Sequence, residues 1–171
     1  MKKNVLITGM PGVGKTTLVR KVAESLEGVA GFYTEEIREA GERKGFRLVT
    51  FDGHEQILAH VNIRGPHRVS KYGVDVEGFE RFLSERFDVS QARVVVIDEI
   101  GKMECLSPLF REKVRGILDS ATPAIFTIAQ KGGGLIAEAK ARPDAEMHEV
   151  TRANREALAG EILARLGEMR H

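Results

Sequence analysis

Hydrophobic positions along this chain alternate between two spacings. Short runs of β-formers recur at residues 3–8, 93–99 and 123–128, and between them lie stretches whose apolar positions step by three or four. Runs such as Val94-Val95-Val96-Ile97 leave no polar face, so they predict strands covered on both sides, as in a parallel sheet. Leu18, Val22 and Leu26 predict one stripe of a helix over 15–26, with Gly28 as its stop. Phe79, Phe82 and Leu83 predict a helix over 75–87. Ser107-Pro108 supplies the cap and first residue of a helix running to about 118. A short helix over 135–141, stopped by Pro143, and a short strand over 146–150 follow. Leu158, Ile162, Leu163 and Leu166 then predict a last helix over 151–166, capped by Thr151.

Residues 29–61 break this alternation. They read as three strands, 29–38, 46–51 and 56–61, joined by a polar turn over 39–45 and by Asp52-Gly53. Strands joined by short turns imply an antiparallel extension at a sheet edge. Residues 62–73 read as a basic loop carrying Arg64, His67, Arg68 and Lys71, either a lid over phosphates or a solvated connector. The fold class expected is therefore α/β, a central, mostly parallel sheet flanked by helices with an antiparallel extension. With 171 residues, a single domain spanning 1–171 is the natural reading.

Composition narrows the function classes. A net charge of +1 provides no global field to recruit nucleic acid or a membrane, so any phosphate binding must be local. No apolar run reaches membrane-spanning length. Cys105 is the one cysteine, which excludes an intrachain disulfide and fits a reducing, cytoplasmic setting, and no leader pattern is present. The five histidines show no metal-ligand spacing.

The chemistry concentrates in two stretches. Gly9-Met10-Pro11-Gly12-Val13-Gly14-Lys15-Thr16 fits the Walker A phosphate-binding loop, and it lies between a predicted strand and a predicted helix, as that motif requires. Gly12 and Gly14 let backbone N–H groups approach phosphate oxygens, while a helix starting near Lys15 directs its unpaired N–H groups and positive dipole end the same way. Lys15 adds charge for the outer phosphates, and the Thr16 hydroxyl suits Mg²⁺. Asp98 closes the run of 93–97 at the strand end where ligands sit in open α/β sheets, a Walker B pattern that would hold the Mg²⁺ shell through water. Glu99 is either the group that orients or deprotonates an attacking water or a plain surface carboxylate. Thr127 or Gln130, near the next strand's end, could sense the γ-phosphate or serve the structure alone. Arg152 and Arg155 stand in the predicted first turn of the last helix, where the dipole disfavours cations; they either meet a nucleotide anion or pair with Glu149 and Glu156.

With these motifs in view, the chain resembles the small nucleoside-triphosphatases first described from thermophiles, a family that includes the cancer-related nucleoside-triphosphatase. The resemblance spans nearly the whole chain. It is carried by Gly9 to Thr17, Gly31-Phe32-Tyr33-Thr34-Glu35-Glu36, Tyr72-Gly73-Val74-Asp75, Asp98-Glu99-Ile100-Gly101-Lys102-Met103-Glu104 and Val150-Thr151-Arg152-Ala153-Asn154-Arg155. It implies a RecA-like P-loop fold with a strand added between the Walker A and Walker B strands, and slow hydrolysis of several nucleoside triphosphates with loose base preference. It also implies that Thr17, Gly101, Lys102 and Asn154 belong to the nucleotide site with the P-loop. The expectation is a monomeric, Mg²⁺-dependent nucleoside triphosphatase in which Lys15, Glu99 and Arg155 or Arg152 act on the transferred group. The alternatives are a small nucleoside, nucleotide or polynucleotide kinase, and a nucleotide switch that works with a partner.

Overall fold

The computed structural model describes residues 2–169. Among them the strands form one nine-stranded sheet. In chain order the elements are β1 (Asn4–Thr8), α1 (Lys15–Glu24), β2 (Val29–Glu39), β3 (Glu42–Thr50), β4 (Glu55–His60), β5 (Arg68–Val69), β6 (Tyr72–Val74) and α2 (Val76–Arg86). There follow β7 (Val94–Ile100), a 3₁₀ turn at Glu104–Leu106, α3 (Pro108–Asp119), β8 (Ala124–Ile128), α4 (Gly134–Lys140), β9 (Ala145–Glu149) and α5 (Arg155–Met169). The spatial order is β5-β6-β4-β3-β2-β7-β8-β1-β9. Neighbours from β2 through β9 run parallel, and β3, β4, β6 and β5 continue from β2 as antiparallel pairs. β8 separates β1 from β7, so a strand does lie between the Walker A and Walker B strands.

The pattern of 94–97 explains the layers. Val94 and Val96 join Val5, Ile7 and Ile125 under α1 and α5, while Val95 and Ile97 join Leu6, Phe126 and Ile128 under α2, α3 and α4. Alternating side chains on one strand thus feed two apolar layers, which is what a run without a polar face requires. The helix ends follow side-chain chemistry. The Asp75 carboxylate accepts from the Gly78 N–H, and the Ser107 hydroxyl accepts from the Phe110 N–H. Glu80 of α2 accepts from both the Ser107 hydroxyl and the Leu109 N–H, which locks the start of α3 to its neighbour.

Three segments depart from the sequence reading. The turn expected over 39–45 shrinks to Ala40-Gly41, both at positive φ (51° and 80°), and β2 and β3 run out as a long two-stranded arm. Residues 62–73 are not one basic loop: Arg68–Val69 and Tyr72–Val74 pair as a small hairpin, and Arg68 donates to the Ile63 and Lys71 carbonyls. α5 begins at Arg155 rather than at 151. Thr151 and Asn154 exchange hydrogen bonds between side chain and backbone in the reciprocal pattern of a capping box, and the Arg155 N–H donates to the Thr151 carbonyl, so Thr151 caps the turn that leads into the helix. Arg152 is exposed in that capped turn.

Gly31 marks where the sheet is tightest. It has φ 136°, and a Cβ there would lie 1.7 Å from the Val96 carbonyl oxygen. Replacing it with Ala should cost about 3 kcal/mol through forced strand separation. The matching change at Gly116, inside α3 with open space around it, should instead add about 0.5–1 kcal/mol. Urea unfolding of the two variants checks both signs; a Gly31→Ala protein as stable as wild type would contradict the packing described.

Candidate active site

Asp98 is the junction of the site. It is 3% exposed, yet its carboxylate has donors from three directions. The Thr16 hydroxyl donates to Oδ2 at 2.7 Å and the Thr34 N–H to the same oxygen at 3.0 Å, while the Thr127 hydroxyl donates to Oδ1 at 2.6 Å. The Thr34 hydroxyl also donates to the Asp98 carbonyl at 2.5 Å. One carboxylate thereby joins α1, β2, β7 and β8. Charge-assisted bonds of this kind are what make a buried carboxylate tolerable.

The strand supplies a second acid by breaking its own register. Ile97 is opposite Phe126 and Ile100 opposite Ile128, so Asp98 and Glu99 together face the single residue Thr127. Such a two-against-one irregularity re-aims side chains that alternation would send to opposite faces. Both acids consequently line one cleft of about 450 Å³, with Gly9, Pro11, Lys15, Thr16, Lys102 and Gln130 among the other lining residues. Lys15 Nζ donates to the Gly9 carbonyl at 3.0 Å and stands 3.5 Å from Glu99 Oε2. Burial pushes the Glu99 carboxyl above its ordinary range, helped by the Asp98 charge and opposed by Lys15.

The phosphate loop keeps its donors free of side-chain caps. Gly14, at φ 104°, precedes α1 and offers no capping side chain, so the first-turn N–H groups of α1 remain for an anion. Gly12 is at φ 78° with open space around it. Val13 packs into the core and Met10 is 65% exposed, and neither side chain lines the cleft.

Gly101 is the place where the acidic stretch can fold back. A Cβ there would lie 2.8 Å from Glu99 Oε1 and 3.0 Å from Glu104 Oε1. Glu104 is 4% exposed and lines the same cleft. Burial, then the Glu99 charge, raises its carboxyl well above the usual range; the backbone N–H groups of Glu99 and Glu104 oppose this without offsetting it. Thr34 and Glu104 stood inside motifs quoted from the sequence, but their roles had no signal in one dimension. Thr34 is a strand residue whose partner lies 64 positions away.

The carboxy-terminal arginines divide. Arg155 Nη1 donates weakly to the Val13 carbonyl at 3.4 Å, and the side chain lines a second recess with Gly14, Thr17, Leu18, Lys21 and Glu156. It does not line the cleft of Glu99. Arg152 lines neither recess. Asn154 spends its amide on the Thr151 N–H and the Glu149 carbonyl. Of the two arginines expected near the transferred phosphoryl, Arg155 stands against the Val13-Gly14 backbone of the loop, and Arg152 is exposed in the turn before α5. Thr127 resolves as a prop for Asp98, leaving Gln130 at the cleft.

The donors suit Mg²⁺. Because the Thr16 hydroxyl gives its proton to Asp98, its lone pairs remain available to a hard cation. Among the described residues no group of three or more His, Cys, Asp or Glu could hold a metal unaided, so a cation here would share its ligands with substrate phosphates and water.

Comparison with known proteins agrees with this geometry. A family described as NTPase matches residues 4–163. A nucleoside-triphosphatase, THEP1, of Thermotoga sp. (strain RQ2) is 44% identical over 164 residues, 94% of this chain and 93% of that protein. The human cancer-related nucleoside-triphosphatase is 40% identical, covering 95% and 96% of the two chains. The crystal structure of THEP1 from Aquifex aeolicus superposes with TM-score 0.83 at 36% identity, covering 95% of this chain and 98% of that one. The solution structure of the human protein gives a TM-score of 0.78 at 38% identity, with 95% and 96% covered.

Glu104 yields a prediction with a definite sign. A carboxyl raised in the folded state binds more protons folded than unfolded, so stability falls as pH rises from the unfolded value, about 4.3, toward the raised one. Glu104→Gln removes that slope. The variant should gain stability relative to wild type as pH increases through this window, read from chemical unfolding at several pH values. Parallel curves for the two proteins would show that Glu104 is not held protonated.

Proposed function

The chain belongs to the NTPase family, and from that premise we propose that it is a Mg²⁺-dependent nucleoside triphosphatase, cleaving ATP, GTP and related triphosphates to diphosphate and phosphate. The observation that carries the reading is the meeting of Thr16 with Asp98 at 2.7 Å and of Lys15 with Glu99 at 3.5 Å, across 82 residues of chain in the first case. Loop N–H groups and Lys15 hold the β- and γ-phosphates. Lys15 exchanges its ion pair with Glu99 for the γ-phosphate, and Lys102 at the rim adds positive charge. Thr16 and, through water, Asp98 would hold Mg²⁺, which supplies charge neutralisation on the phosphates when bound.

Glu99 is then freed beside the γ-phosphorus. Its carboxylate orients a water in line with the breaking bond and accepts the water's proton. Burial raises its affinity for protons, which suits a group that accepts one. At the other end, the recess of Thr17, Lys21 and Arg155 is open, which supports loose recognition of the base. The reading is of one P-loop domain acting as a monomer in the cytoplasm; no helix of the described residues is long and apolar enough to cross a membrane.

Two experiments test the roles. Lys15→Ala should abolish detectable phosphate release. Glu99→Gln should bind a fluorescent triphosphate within about threefold of wild type while losing roughly 100-fold or more in turnover. Wild-type turnover in Glu99→Gln would remove it as the base.

Arg155→Ala should raise KM by about tenfold and leave kcat within about threefold, since it serves the nucleotide's far end. A fall in kcat alone would return Arg155 to the transferred phosphoryl group. Arg81→Ala, exposed on α2, is the control for non-specific loss of charge.

A further inference from the structure

Hydrolysis uses only part of the cleft. The two recesses differ in their walls: that of Arg155 lies between α1 and α5, whereas the cleft of Glu99 extends to Thr34 of β2, Phe46 of β3 and Leu58 of β4. A triphosphate running from Arg155 to Lys15 therefore points its γ-end at the antiparallel extension. There the cleft continues into a compartment with Phe46, Leu58, Val69 and Met103 as apolar wall and Glu36 with Arg43 as a polar pair. The full cleft is about 450 Å³. Small-molecule sites span about 300–1,000 Å³. An attacking water needs only about 30 Å³.

The polar pair is held in place. Arg43 donates to the Tyr72 hydroxyl at 3.1 Å and to Glu36 Oε1 at 3.2 Å, and its guanidinium lies 5.4 Å from the centre of the Phe46 ring. This fixes an acceptor and spare N–H donors beside an aromatic side chain. Glu104 adds a buried carboxyl next to Glu99. One carboxylate suffices to activate water, and a second buried acid beside it is costly unless something uses it.

We propose that this compartment is an acceptor subsite for a nucleoside, and that the γ-phosphoryl group passes to the nucleoside's hydroxyl in competition with water. The inference rests on the phosphate-loop reading given above. Phe46, Leu58 and Val69 take the base; Glu36 and Arg43 read its donor and acceptor edge; the sugar hydroxyl lies toward Glu99 and Glu104. The hydroxyl oxygen bonds to the γ-phosphorus as the bond from that phosphorus to the β–γ bridging oxygen breaks. The diphosphate departs with the electron pair, the hydroxyl proton goes to Glu99, and the products are a nucleoside monophosphate and a nucleoside diphosphate.

The test is incubation of the whole protein with γ-labelled ATP and Mg²⁺, alone and with adenosine, guanosine, cytidine or thymidine in excess. Label should appear in the monophosphate of at least one nucleoside. Val69→Trp, which fills the compartment, should lower the ratio of transferred to released phosphate by roughly tenfold or more. Arg43→Ala should raise the acceptor KM by about tenfold, a second reading should the larger residue disturb folding. Release of free phosphate with no labelled monophosphate from any of these nucleosides overturns the subsite, as does transfer unchanged in both variants. Failure to release phosphate even without acceptor would instead overturn the underlying hydrolase reading, so the two failures are distinguishable.

Discussion

Everything in this site depends on one buried carboxylate finding enough donors. Asp98 is withdrawn from water, where a lone charge would be prohibitive, and it survives because Thr16, Thr34 and Thr127 each turn a hydrogen toward it. Those donors come from a helix and two strands that neighbour β7 on either side. The carboxylate therefore acts as a fastener for the phosphate loop. It sets where α1 begins relative to the sheet, and so where Lys15 and the loop N–H groups converge. A neutral side chain of similar size would leave three hydroxyl or amide hydrogens to find other partners.

The same neighbourhood holds more negative charge than a core usually allows. Asp98, Glu99 and Glu104 lie within seven residues, on a strand end and the turn after it. Their answers differ. Asp98 is hydrogen-bonded from three directions, Glu99 leans on Lys15, and burial pushes the Glu104 carboxyl well above its usual range. One stretch thus presents three chemical characters without any change of residue class beyond Asp and Glu. The register break at β7 and the missing side chain at Gly101 make this crowding sterically possible.

Much of this was legible along the chain, where local pattern and burial coincide. The run 94–97 announced a strand covered on both faces, and the phosphate loop carried its own strand-turn-helix context. Helix starts at Asp75 and Ser107 were readable because a side chain does the capping. The failures have a common physical cause: information that lies between segments or in backbone alone. The Ala40-Gly41 turn takes positive φ at both residues, but alanine is a poor marker for that conformation, and the polar arm around it carries no core-facing alternation. Ser70 at φ 54° hides the second hairpin in the same way. The start of α5 was placed too early because Thr151 and Asn154 cap a turn before regular helical bonding begins at Arg155. Thr34 and Glu104 gain their roles from partners that no window of sequence contains.

The antiparallel extension is the part of the fold that a phosphate loop does not need. Parallel strands β1, β7 and β8 already position the Gly9–Thr16 loop, Asp98 and Glu99. β3, β4 and β5 extend the sheet beyond β2 and bring Phe46, Leu58 and Val69 to the γ-end of the site. A wall of that composition excludes water from the side where water would attack, which is a poor arrangement for a hydrolase alone. The same wall would favour an organic hydroxyl over water by giving its carrier an apolar surface to bury. A built, partly apolar chamber beyond the γ-end of the site then has its explanation in the proposed acceptor: water reaches this site as the less favoured of two acceptors.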